Sequence, residues 1–290
     1  APFIVGVPRS GTTLLRLALD AHPKLAIPPE TGFLLPLFTR SRWRLPRLDR
    51  AAFYDHVTRF HTWPDLGLDA AALHEALAAL EPFSLAAGLR CLYQLVASQR
   101  GKNRWGDKTP TYGTVLPRLR RLLPEARFIH LIRDGRDVAS SLGKVWFSPS
   151  DDLAERAAYW AREVSVIRRG GQGDPGYLEV HYEDLVSAPR PTLERICSFI
   201  ALEYSETMAR SHETAAERLG GVTDLHRSNG QVVTRAERLD QHRLTSLPPT
   251  TERIGVWRRE MTPQQVARFE QVAGAALEAC GYETSRRRPR

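Results

Sequence analysis

Lysine is scarce in this 290-residue chain: four residues, Lys24, Lys102, Lys108 and Lys144, against 37 arginines. Cysteine is scarcer still, at Cys91, Cys197 and Cys280. An odd number, widely spaced and each inside a helix-like apolar pattern, excludes a disulfide framework and a cysteine metal cluster. Such residues read as small buried side chains in a reducing compartment. No run approaches the roughly 18 apolar residues that a membrane span needs. No basic-then-apolar leader is expected either, because residues 3–7 already read as a strand. Repeats and low-complexity blocks are absent. With 42% hydrophobic and 26% charged residues, the composition excludes a disordered chain.

Positive charge is in excess, at +8. Arginine is densest at 40–50 and 286–290, runs that read as solvated surface and a frayed tail. Basic residues alone give only sequence-independent attraction to nucleic acid, and no nucleic-acid motif accompanies them. A nucleic-acid partner is therefore not expected, and a small anionic substrate or cofactor matches the charge as well. The Ala/Arg-rich, Lys-poor usage points to a GC-rich bacterial source and, with the free cysteines, to the cytoplasm.

Periodicity predicts buried strands at 3–7, 127–132 and 177–182, and a short strand before Lys108. Helices are expected at 11–21, 68–80, 84–99, 135–144, 152–169 and 190–201. A last helix starts at Thr262, with Pro263 in its first position and Gln265 completing a capping box. Its inner face would carry Val266, Phe269, Val272, Ala276 and Leu277, and Gly281 would end it. Residues 24–64 read as irregular and 220–256 as mostly loop. Buried strands separated by helices imply a parallel sheet covered on both faces, with ligands beyond the C-terminal strand ends.

The first strand runs into Gly6-Val7-Pro8-Arg9-Ser10-Gly11-Thr12-Thr13. This has the spacing of the phosphate loop G-x-x-x-x-G-K-[ST], with Thr12 in place of the lysine. Gly6 and Gly11 permit a tight backbone. The amides of Ser10, Gly11, Thr12 and Thr13, with the helix dipole, favour an anion. The missing lysine disfavours triphosphate chemistry, in which it reaches the β- and γ-phosphates. Arg9 can supply a cation from the turn instead.

Residues 3–30, FIVGVPRSGTTLLRLALDAHPKLAIPPE, resemble the start of sulfotransferases that use 3′-phosphoadenosine 5′-phosphosulfate (PAPS). The similarity is strongest to the tyrosylprotein sulfotransferases and their bacterial relatives. The resemblance implies a single domain over 1–290: an α/β, three-layer fold of the P-loop NTPase type, with a central parallel sheet flanked by helices. Residues 36–100 and 205–255 match nothing firmly and would be insertions shaping the acceptor site and a lid.

The same resemblance implies the site. The loop would bind the 5′-phosphosulfate, with Arg9, a catalytic candidate alongside Glu30 and Lys108, joining Thr12, Thr13 and the loop amides on the sulfonate and 5′-phosphate. Arg133, ending a strand, and Ser141, eight residues later, would bind the 3′-phosphate. Lys108, within Arg104-Trp105-Gly106-Asp107-Lys108-Thr109-Pro110, would approach the bridging oxygen of the leaving group. Glu30, on a rigid Pro/Gly turn, would take the acceptor hydroxyl's proton. Weaker matches add Tyr182, Ser228 and Arg253 as nucleotide contacts. His130 and His181 lie within strand runs and read as core residues. The expected cofactor is PAPS, with adenosine 3′,5′-bisphosphate as product and no metal. The expected partner is a hydroxyl-bearing acceptor, tyrosyl or phenolic, carbohydrate or small-molecule. The aromatic stretch 33–63 is the expected place to hold it. The sequence leaves two other readings open, a degenerate P-loop kinase or NTPase and a basic nucleic-acid-binding module. It is silent on oligomeric state.

Overall fold

The computed structural model describes residues 1–39, 45, 47–226 and 230–285. The main strands are β1 (Pro2–Gly6), β4 (Asp107–Lys108), β5 (Arg127–Ile132) and β6 (Tyr177–His181), and β2 (Leu25–Ala26) pairs separately with β3 (Arg104–Trp105). The central sheet has the order β4-β1-β5-β6 and every pairing in it is parallel. Its principal helices are α1 (Thr12–Asp20), α2 (Arg50–Thr58), α3 (Ala70–Ala78), α4 (Leu85–Gln99), α5 (Gly135–Leu142), α6 (Leu153–Gly171), α7 (Tyr182–Ser187), α8 (Pro189–Phe199), α9 (Arg235–Asp240) and α10 (Pro263–Ala279).

Strand alternation divides the core in two. Phe3, Val5 and Phe128 point to one side, where they pack with residues of α2, α3, α4 and α6. Ile4, Ile129, Leu131 and Val180 point to the other and meet Leu15 and Leu19 of α1 with Leu193 and Ile196 of α8. The result is the expected α/β fold of P-loop type, a parallel sheet between helical layers. A third apolar cluster closes the C-terminal strand ends, where Val7 and Ile132 meet Trp160 of α6 and Phe269 of α10.

Local chemistry sets most element ends. Asp69, Ser84 and Asp152 cap α3, α4 and α6 through side-chain oxygens. Thr262 and Gln265 form the anticipated capping box at α10. Four expectations need correction. Val272 is 44% exposed, and the buried row of α10 is Phe269, Ala273 and Leu277, spaced four apart, with Glu270 drawn in by Arg136 at 2.8 Å. Tyr182 begins α7 rather than ending β6. The region 24–64 is not irregular throughout: a helix spans Leu34–Thr39, and Asp49 caps α2, which buries Phe53 and Val57. Within 220–256, Thr234 and Glu237 form a capping box on α9.

Two of the cysteines, Cys197 and Cys280, are buried, and Cys91 is half-buried on α4. Among the described residues no helix is long and apolar enough to cross a membrane. Arg50, in the basic stretch, pairs with Glu81 at 2.6 Å, whereas residues 40–44, 46 and 286–290 lie outside the described residues.

The joint between α5 and α6 is tight. A Cβ added at Gly135 would lie 2.5 Å from the fully buried indole of Trp160. Gly135→Ala is expected to cost about 1–3 kcal/mol, the range for overpacking a core. Chemical denaturation reads this as a lower midpoint; an unchanged midpoint would show that the indole has room to move.

Candidate active site

The loop after β1 turns sharply because three of its residues have positive φ: Gly6 at 155°, Arg9 at 74° and Gly11 at 95°. Gly6 and Gly11 are sterically required. A Cβ at Gly6 would sit 2.5 Å from the Leu131 carbonyl oxygen, and one at Gly11 2.5 Å from the Tyr182 ring. Arg9 has no such excuse, so its left-handed backbone is strain held in place by the surrounding fold. Gly11 caps α1, and the helix N-terminus with Thr12 and Thr13 opens onto a cavity of about 430 Å³ at the C-terminal end of the sheet.

Arg133 follows β5 and joins this cavity from the other side. Its guanidinium donates to the carbonyls of Arg9 (3.3 Å) and Arg253 (2.7 Å), pairs with Asp137 (3.6 Å) and lies 4.4 Å from the centre of the Tyr182 ring. Asp134 pairs instead with Arg136, at 2.7 Å. Arg9 Nε donates to Ser141 Oγ at 3.0 Å. The loop and the Arg133–Ser141 pair, separate in the chain, thus form one site. Arg253 is brought there by Asp137, whose carboxylate accepts the backbone N–H groups of Gly255 (2.9 Å) and Trp257 (2.8 Å). Burial lowers the affinity of Arg9 for its proton, and Arg133 and Arg253 lower it further. Three arginines converge on one cavity whose wall also carries Asp137, Asp240, Glu252 and Glu260, and where the arginines cluster an anion is favoured.

Two buried donors on the segments that form this cavity point to the same need. Ser10 Oγ and Arg133 Nε are buried without a hydrogen-bond partner among the described residues. A hydroxyl and a guanidinium N–H are the groups that hold phosphate oxygens. With Tyr182 beside Arg133, they fit a nucleotide carrying more than one phosphate.

A second cavity, of about 320 Å³, lies on the β4 side of the loop. Glu30 and Lys108 meet on its wall, Oε1 to Nζ, at 2.6 Å. Lys108 is buried and also donates to Thr13 Oγ1 at 3.4 Å, while the Glu30 side chain is 51% exposed. Burial pulls the Lys108 ammonium down from its ordinary range, and the Glu30 carboxylate works against that. Both residues are positioned by buried neighbours. Thr31 Oγ1 and the Tyr93 hydroxyl donate to Asp107 Oδ2 at 2.8 and 2.9 Å, and the Thr31 amide donates to Thr109 Oγ1 at 3.2 Å. Thr31 therefore anchors the residue after Glu30 onto the residues flanking Lys108. Burial raises the Asp107 carboxyl to about 6.

Among the described residues, the phenylalanines, tyrosine and tryptophan of 33–63 do not line this cavity. Phe33, Phe38 and Phe53 are fully buried in the core, where their area is worth most. Among the described residues of that region only His61 and Thr62 reach the wall, and its apolar part comes from Trp146, Phe147, Leu219, Val222 and Leu225. The sequence reading missed these residues, and also Gln241, His242 and Arg238, because no local pattern marks them. Ser228 lies outside the described residues. His130 is fully buried and bonded to the Tyr177 hydroxyl through Nδ1 at 2.6 Å; its Nε2 has no partner among the described residues. His181 bonds to the Tyr282 hydroxyl at 3.2 Å. Among the described residues no group of three or more His, Cys, Asp or Glu is gathered as a metal would need.

Comparison with known proteins supplies the family. Residues 2–206 match the model of the sulfotransferase family. A putative protein-tyrosine sulfotransferase of Caenorhabditis briggsae is 28% identical, the alignment covering 99% of this chain and 90% of that protein. Protein-tyrosine sulfotransferase 2 of Gallus gallus is 31% identical over 80% of this chain, which spans 59% of the chicken protein's length. Among solved structures, the sulfotransferase domain from the curacin biosynthetic pathway superposes with a TM-score of 0.66 at 21% identity, covering 98% of both chains. The loop without its lysine, the paired anion site and the match over most of the chain lead to one conclusion: this chain belongs to the sulfotransferase family.

Proposed function

We propose that the chain transfers a sulfuryl group from PAPS to the hydroxyl of an acceptor seated in the second cavity. The observation that carries this reading is the Glu30–Lys108 pair, at 2.6 Å, on the wall of a cavity adjoining the phosphate loop. A carboxylate and an ammonium held together beside an anion site are the two groups that transfer to a hydroxyl requires. The kinase or NTPase and nucleic-acid readings are not favoured by the family match.

When bound, PAPS supplies the sulfonate that passes to the acceptor oxygen and leaves as adenosine 3′,5′-bisphosphate. The protein's part is positioning and electrostatics. Arg133, Ser141 and Arg9 would hold the 3′-phosphate side of the first cavity, with Tyr182 and Arg253 beside them. Ser10, Gly11, Thr12 and Thr13 would hold the 5′-phosphate at the α1 N-terminus. The Lys108 ammonium has three N–H donors and two partners, Glu30 and Thr13, so one donor is left for the bridging oxygen as charge develops there. Glu30 bonds Lys108 through Oε1, and its carboxylate is open to the cavity, where it would accept the hydroxyl proton. The apolar wall of Trp146, Phe147, Leu219, Val222 and Leu225 suits the flat ring of a phenolic acceptor better than a carbohydrate.

Two measurements test this. Calorimetry is expected to show adenosine 3′,5′-bisphosphate binding in preference to ATP-Mg, with Arg133→Ala weakening the bisphosphate at least tenfold. A preference for ATP-Mg would overturn the reading. Glu30→Gln is expected to keep bisphosphate affinity within about twofold while sulfuryl transfer to phenolic acceptors, followed with labelled PAPS, falls by roughly 10²-fold or more. Transfer at the wild-type rate would remove Glu30 from the role of base.

A further inference from the structure

Five residues line both cavities: Arg9, Thr12, Thr13, Gln241 and His242. The first three belong to the phosphate loop and the start of α1. The last two form the turn between α9 and the 3-10 turn Arg243–Ser246, in a region where the sequence offered no motif. These five residues mark the place where the two cavities adjoin.

The His242 turn is held firmly. The Gln241 carbonyl faces the Arg9 guanidinium at 3.5 Å. The His242 amide donates to Leu239 O at 2.9 Å, and its carbonyl accepts from the Thr245 amide at 2.8 Å and from Thr245 Oγ1 at 2.7 Å. Arg238, on α9, is locked to the buried Asp65 at 2.6 Å. The backbone of His242 is thus satisfied, whereas its imidazole makes no hydrogen bond among the described residues. Burial, then the cations of Lys108, Arg16, Arg9 and Arg238, push that imidazole down to about 3. An uncharged imidazole carries one N–H donor and one lone-pair nitrogen.

We propose that His242 contacts the group in transfer, its imidazole N–H donating a hydrogen bond to a sulfonate oxygen of PAPS at the crossing between the two cavities. The inference rests on the sulfotransferase reading. Sulfonate oxygens only accept hydrogen bonds, and the loop meets them from one wall. His242 supplies a donor from the other segment that both cavities share, and no other imidazole among the described residues lines both. The contact exists with the donor nucleotide and not with the product, which has no sulfonate. His242 therefore favours PAPS over adenosine 3′,5′-bisphosphate without adding a charge that would retain the product.

The test needs no acceptor. PAPS and adenosine 3′,5′-bisphosphate are titrated separately by calorimetry into the full chain, as wild type, His242→Ala and His242→Gln. His242→Ala is expected to weaken PAPS roughly tenfold and the bisphosphate less than about twofold. His242→Gln keeps an N–H donor and is expected to recover part of the loss. An equal change for both nucleotides, or a change for neither, overturns the role of His242, since a merely structural turn would not separate them. Should His242→Ala fail to fold, His242→Leu, which fills the site without an N–H donor, decides: an unchanged ratio of the two affinities, with stability retained, also overturns it. Wild-type chain that binds neither nucleotide overturns the sulfotransferase reading itself, whereas normal bisphosphate binding with an unchanged ratio in the variants overturns His242 alone.

Discussion

Arg133 leaves the end of β5 and fastens four segments at once. It donates to the Arg9 carbonyl in the phosphate loop and to the Arg253 carbonyl in the late loop, pairs with Asp137 on α5, and stacks on Tyr182 at the start of α7. A cation held this deeply is costly unless it is paired and hydrogen-bonded. Asp137 offsets part of that cost and spends its remaining acceptor capacity on the Gly255 and Trp257 amides. Nε of Arg133 is left over, as is Ser10 Oγ. These two donors are left on the segments that would meet a bound anion.

The other half of the site answers a different problem, the placement of a base and a cation beside one another. The cation that the phosphate loop lacks in sequence is returned to it in space. Lys108 arrives from the neighbouring strand β4, and its ammonium reaches Thr13 while bonding Glu30. Two short segments far apart in the chain must hold these groups to within a few tenths of an ångström. The buried cluster of Thr31, Tyr93, Asp107, Thr109 and Tyr112 does this by linking the backbone after Glu30 to the side chains on either side of Lys108. A fully buried polar network is rigid because each broken bond leaves a desolvated group behind.

Legibility in the sequence followed the range of the interaction. The Gly6-to-Thr13 loop, the strands around Phe3 and Ile129 and the Thr262 cap are local patterns that could be read directly, whereas the eight-residue step from Arg133 to Ser141 came from the family resemblance. The inner face of α10 was misread at Val272 because three- and four-residue steps both suit a helix; what chose the row through Ala273 was the position of α6 and of Arg136. The aromatics at 33–63 looked like an acceptor surface because exposure has no local signature. The His242 turn had no motif because its importance lies in what stands opposite it.

The sequence by itself determined the chemistry available: an anion loop without lysine, a carboxylate on a rigid turn, one lysine placed after a short strand, and an arginine at a strand end. These follow from residue type and spacing, which act over a few residues. Only the tertiary structure decided which of them meet. It joined Arg9 to Ser141 and Glu30 to Lys108, packed the described aromatics of 33–63 in or against the core, and brought the His242 turn to the same two cavities as the phosphate loop. Those outcomes depend on packing and on charges brought together across the fold, and such contacts leave no period in the chain.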